Sequence, residues 1–162
     1  MENINNFGDA LIKGKELIEK AMLNNWNVTI LFDCDVDGYT SGSLMYQVCV
    51  ELGLNTNYIF HDGKEHGLDD TTLEKIQNMN PKPKLLIIPD ASTNDIEQIT
   101  ILLMLGINVL ILDHHDLEIN SSNIMINEYN DYFGIIDSNG NDVDCIIINN
   151  QIQNVEDKAM TG

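Results

Sequence analysis

Three short runs of this chain gather carboxylates and imidazoles: Asp33-Cys34-Asp35-Val36-Asp37-Gly38, then Asp90 within Pro89-Asp90-Ala91-Ser92, then Asp113-His114-His115-Asp116. Carboxylate oxygens and imidazole nitrogens suit Mn²⁺, Mg²⁺ or zinc. Several carboxylates sharing one crevice repel each other unless cations sit between them. Two cations about 3.5–4 Å apart need a bridging ligand and further ligands on each side; such a pair activates water and offsets charge developing on phosphorus. Each run alone has a plain structural explanation. Asp37-Gly38 is an ordinary turn pair, adjacent histidines are common on surfaces, and a lone Asp90 says little. Their joint occurrence points to a site.

The elements around them make the case stronger. Val28 to Phe32, Leu85 to Ile88 and Val109 to Leu112 are short apolar runs of the kind found in buried parallel strands, and each is followed at once by one of the acidic runs. Asn57 to Phe60 reads as another strand, Asn123 to Asn127 as a fifth, and Cys145 to Ile148 as an apolar run of undecided type. Helical periodicity marks Asp9 to Asn25 and Ser41 to Leu52, the latter closed by Gly53. Asp69 to Asn78 is a third helix, and a fourth is capped by Thr93 or Asn94, with Glu97 completing a capping box, and runs to Leu105. The Asn-, Asp- and Gly-rich stretch from Glu128 to Asp144 reads as loop. Strands alternating with helices predict an α/β fold, a parallel sheet of about five strands with helices on both faces. Ligand crevices in such sheets lie outside the carboxyl ends of the strands, where all three acidic runs fall.

The chain has 162 residues and fits one domain. Its formal net charge is −18; the eight cations are all lysines, with no arginine. That balance argues against tight, non-specific binding of a long duplex by this chain alone, but does not exclude a phosphate substrate, because bound cations invert the field of an acidic cluster. No apolar stretch approaches the roughly 20 residues of a membrane span. The polar start, Met1-Glu2-Asn3-Ile4-Asn5-Asn6, lacks the pattern of a secretory signal. Cys34, Cys49 and Cys145 form no pair and read as lone thiols acting as small apolar residues. The expected compartment is the cytoplasm, with no membrane partner.

The three runs together resemble the motifs of the DHH family of phosphoesterases. Asp33-Cys34-Asp35-Val36-Asp37-Gly38 is similar to its Asp-x-Asp-x-Asp-Gly motif, Asp90 stands where a metal-bridging Asp is placed, and Asp113-His114-His115 is the motif that names the family. The resemblance runs roughly from Val28 onward and implies a Rossmann-like DHH domain holding two Mn²⁺ ions, with Mg²⁺ as the substitute. It implies Asp35 and Asp37 as ligands, Asp33 as a ligand or its support, Asp90 as the bridge and His114 as a further ligand. His115 would ligate or contact the scissile phosphate, and Asp113 would orient a histidine. The segment from His61 to Leu68 resembles a loop that holds substrate phosphates, with Lys64 and His66 as its candidates. The oligonucleotide-hydrolase and pyrophosphatase branches place a His four residues before the first of two metal Asp; here that position is Leu31. The Asp-rich form therefore resembles the RecJ-like branch, whose members degrade single-stranded DNA from the 5′ end.

The resemblance also implies a fourth metal Asp and a second domain further along than Gly162, so residues 1–162 are expected to be one DHH-type domain with weak or no activity alone. Other readings remain at this point. The substrate of the same chemistry could be a short oligonucleotide, a cyclic dinucleotide or a polyphosphate. Phe32-Asp33-Cys34-Asp35 also fits the opening of the haloacid-dehalogenase phosphatases, with Asp33 as nucleophile and Asp35 as acid, although Asp113-His114-His115 has no task there. A metal-free scaffold with protein partners in replication or repair would suit an acidic surface.

Overall fold

The computed structural model describes residues 7–61, 66–116, 132–137 and 139–151. Its elements are α1 (Phe7–Leu23), β1 (Asn27–Phe32), α2 (Val36–Glu51), β2 (Asn55–Phe60), α3 (Asp70–Asn78), β3 (Leu85–Pro89), α4 (Ile96–Met104), β4 (Asn108–Asp113), β5 (Tyr132–Ile136) and β6 (Asp142–Asn149). The strands form one sheet in the order β2-β1-β3-β4-β6-β5. All neighbours are parallel except β5 and β6. The expected parallel sheet of about five strands is therefore a mixed sheet of six.

Side chains alternate across this sheet and build a core on each face. Val28, Ile30 and Phe32 of β1, with Leu85 and Ile87 of β3, pack with Ala10, Leu17 and Ala21 of α1 and Cys49 of α2. Leu31, Leu86, Ile88, Val109, Ile111 and Ile147 point the other way, onto Leu73 and Ile76 of α3 and Ile99, Leu102 and Leu103 of α4. Helices thus cover both faces, as expected for strands that are apolar throughout. Cys49 and Cys145 are buried free thiols, and burial pushes the Cys49 thiol up to about 11.

The stretch read as loop holds a hairpin. Strand β5 pairs antiparallel with β6, and the connection closes around Asp137, whose Oδ1 accepts from the amides of Asn139 and Asn141, with Gly140 at φ +81°. The polar composition belongs to this turn and its flanks, and it masked the strand beside it. The strand expected at 123–127 lies outside the described residues. Helix α4 also differs: Asp95 occupies the cap position without a side-chain cap bond, while the Asn94 amide donates to the Asp116 carbonyl.

Candidate metal centre

Strand β1 lies between β2 and β3, so successive connections leave it in opposite directions. Such a switch point opens a crevice at the carboxyl ends of the strands. Asp33 directly follows β1, Asp90 directly follows β3, and Asp113 ends β4. Helix α2 begins at Val36 rather than Ser41 because Asp35 caps it: its Oδ1 accepts from the Gly38 amide at 2.9 Å. The acidic run is therefore a helix start, with Asp37 in the first turn. Gly38 is required there, since a Cβ would lie 2.5 Å from that of Asp33.

Asp37, Asp90 and His114 offer donor atoms within 4.8 Å of one another. His114 Nε2 is 3.0 Å from Asp90 Oδ1. The other oxygen, Asp90 Oδ2, is buried without a hydrogen-bond partner among the described residues. Asp90 sits at φ +80°, a left-handed conformation in which Asp is tolerated better than most residues. Burial pushes its carboxyl above the ordinary range, and the carboxylates of Asp35 and Asp37 add to this while His114 opposes it. An orphaned carboxylate oxygen on a residue of this cluster of oxygen and imidazole donors fits a divalent cation.

The second histidine is held differently. Asp113 Oδ1 lies 2.7 Å from His115 Nδ1 and accepts from the amides of His114 and His115, and Oδ2 accepts from the Thr93 amide. Burial alone would raise the Asp113 carboxyl, but these bonds hold it below its usual range. Burial would likewise lower His115, yet the Asp113 bond raises it. Asn149 at the end of β6 secures the arrangement, donating to Thr93 Oγ1 and to the His115 carbonyl, each at 3.0 Å.

Asp33 faces the returning segment after β2. Its Oδ1 accepts from the Gly67 amide at 3.0 Å, and its Oδ2 pairs with His66 Nδ1 at 2.5 Å, an interaction that raises the imidazole's pKa. His66 Nδ1 also lies 4.0 Å from Asp35 Oδ2, and its ring centroid is 5.9 Å from that of His115. Asp33, Cys34 and His66 make a second compact donor group, which gives Cys34 a half-buried place at the site rather than in the core. The expected residues thus divide into two adjoining groups: Asp37, Asp90 and His114, and Asp33 with His66, with His115 beside both. Lys64 lies outside the described residues.

Supporting residues escaped the sequence reading. Asp95 accepts from the Leu68 amide at 2.7 Å and so fastens the segment bearing His66 to the start of α4. Asn149 carries no local signal, because its role depends on β6 lying beside β4. Beside the acidic groups a cavity of about 400 Å³ runs under α2, its walls shared between Leu44, Met45, Val48 and Leu112 on one side and Asp90 and His114 on the other.

Known proteins share sequence and fold with this chain. The chain is 30% identical over 169 aligned residues to YorK of the SPbeta prophage in Bacillus subtilis (strain 168), and equally to the Bacillus phage SPbeta protein; both names carry the words single-strand DNA-specific exonuclease. The alignments cover all of this chain but only 23% of those proteins. Among solved structures, RecJ from Thermus thermophilus in complex with Mn²⁺ shares the fold with a TM-score of 0.57 at 19% identity, over 68% of this chain and 15% of that one. An exonuclease RecJ bound to manganese gives 0.58 at 21%, over 67% and 28%. Residues 27–154, which contain every described strand and all three acidic runs, match the model of the DHH family, N-terminal domain, and the chain belongs to that family.

Proposed function

We propose that this chain is the cation-binding domain of a RecJ-like phosphodiester hydrolase that acts on single-stranded DNA and uses two Mn²⁺ ions, with Mg²⁺ able to substitute. The observation that carries the reading is the convergence of Asp37, Asp90 and His114, from three segments that follow separate strands, with Asp90 Oδ2 buried and unpartnered among the described residues. Names of the relatives, and the manganese in the solved neighbours, support the substrate and the metal.

In this reading Asp37, Asp90 and His114 would hold one cation, and Asp33 and Asp35 would supply ligands for the second, the resemblance giving Asp90 to both. When bound, the cations polarise phosphoryl oxygens and lower the pKa of water. The chain's own residues do the positioning. Asp113 fixes the His115 ring through Nδ1, and His115 Nε2 would then meet the substrate phosphate and carry a proton there. His66, held by Asp33, presents a second imidazole on the same rim. Leu44, Met45, Val48 and Leu112 give the cavity beside Asp90 an apolar wall. Lys64 remains a candidate phosphate contact.

Calorimetric titration with Mn²⁺ tests this, comparing the chain with Asp90→Ala and His114→Ala. Binding that both substitutions abolish is the expected result, to be followed by digestion of 5′-labelled single-stranded DNA. A stably folded chain that binds no Mn²⁺ would instead favour the metal-free scaffold.

A further inference from the structure

Half of the chain's ten aromatic residues gather in one place that the metal centre does not use. Phe32, Tyr39, Tyr46, Tyr58 and Phe60 form a continuous ribbon along α2 and the edge strand β2. The register explains it: Ile30 pairs with Tyr58 and Phe32 with Phe60, so these four side chains share the sheet face under α2. Tyr39 and Tyr46, seven residues apart on α2, lie along the same seam. Ring centroids are 5.5 Å apart for Tyr39 and Phe60 and 5.0 Å for Phe32 and Phe60.

This ribbon is not sealed. Tyr39 and Tyr58 are each 47% exposed and Phe60 is 40% exposed. The exposed end is also the site end: Phe32 precedes Asp33, Phe60 precedes His61, and Tyr39 follows Asp37 by two residues. Charge says what could cover it. A chain of net charge −18 without arginine has little with which to grip phosphates beyond its cation centre. Stacking of bases on aromatic rings needs no charge and is how proteins hold single strands irrespective of sequence.

We propose that Tyr39 and Phe60 form a base-stacking subsite that holds a nucleobase of a single-stranded nucleic acid while the neighbouring phosphate lies at the Asp37, Asp90 and His114 centre. The inference rests on the proposed hydrolase reading for the identity of the strand. It adds a salt-insensitive source of affinity and a reason to reject duplexes, whose bases are already stacked.

The test measures binding of a phosphorothioate oligothymidylate and of an abasic strand of equal length, with Mn²⁺ present, at low and high salt. The expected result is a preference of about tenfold for the base-bearing strand, the scale of one stacked base, that survives high salt. Tyr39→Leu with Phe60→Leu removes the preference, and Tyr39→Trp restores it in the Phe60→Leu background. Should the double variant fail to fold, photocrosslinking of a 5-bromouracil oligonucleotide to the unaltered chain, mapped by mass spectrometry, must label Tyr39 or Phe60. Equal binding of the two strands, or crosslinks elsewhere, overturns the subsite. Self-association through the β2 edge that the oligonucleotide does not compete with also overturns it. Calorimetry with Mn²⁺ alone separates the two readings. Metal binding without base preference sinks only the subsite, and base preference without metal binding sinks only the hydrolase.

Discussion

Asp90→Asn should have opposite effects with and without metal. One oxygen of Asp90 and one of Asp37 lie within 4.8 Å of each other, so the two carboxylates repel in the metal-free chain. At an effective dielectric constant of about 20 that repulsion is about 3 kcal/mol. Solvent around the exposed Asp37 and the lost attraction of His114 leave a net gain of about 1 kcal/mol for the amide. Asn keeps the shape and tolerates the φ of +80°. In a domain of this size the metal-free melting temperature should rise by about 2–4 °C. The sign agrees with the raised Asp90 carboxyl: its protonated form contributes stability below the ordinary carboxylate range, which is lost as pH rises through the higher folded value. Asparagine, uncharged at every pH, removes that loss. With Mn²⁺ at about a hundredfold excess over its dissociation constant, the unaltered chain gains about 2.7 kcal/mol by mass action, and the variant gains almost none. Differential scanning calorimetry in chelator and in Mn²⁺ reads both effects. A variant that melts lower in chelator yet keeps the Mn²⁺ shift would refute both the electrostatic argument and the assignment of Asp90 as a ligand.

Other substitutions probe the supports. Asp113→Asn leaves buried amides and the His115 ring less well held; it should cost about 1–3 kcal/mol in denaturant titrations and lower hydrolysis by a longer active protein about 10–100-fold. Gly38→Ala drives a methyl into Asp33 and should destabilise the chain by about 1–3 kcal/mol while weakening Mn²⁺ binding, both readable in one calorimetric series. Ile147→Ala opens a cavity between the sheet and α4, and a loss of about 2–5 kcal/mol is expected with Mn²⁺ affinity little changed, which separates core from site.

The three apolar strands and the acidic runs after them were legible in the chain because both signals are local. A strand buried on two faces must be largely apolar, and β3, Val28–Phe32 of β1 apart from Thr29, and Val109–Leu112 of β4 are. The start of α2 was misread for an equally local reason: Asp35-Val36-Asp37-Gly38 has the composition of a turn, and only the bond from the Gly38 amide to Asp35 shows it to be a helix cap. Strand β5 was missed because its stability comes from pairing with β6, which leaves no mark in a five-residue stretch containing Gly134.

By itself the sequence determined the α/β class, the alternation that puts helices on both faces, and which residues could ligate. Tertiary structure decided their grouping. Strand order set β1 beside β3 and β4 beside β6, so Asp37 meets Asp90 and His114, while Asp33 turns to His66 and Asn149 reaches His115. Those contacts span 24 to 77 residues of chain for the first set and 33 to 34 for the other two. Distances of that kind are closed by the packing of the whole sheet, and no local spacing encodes them.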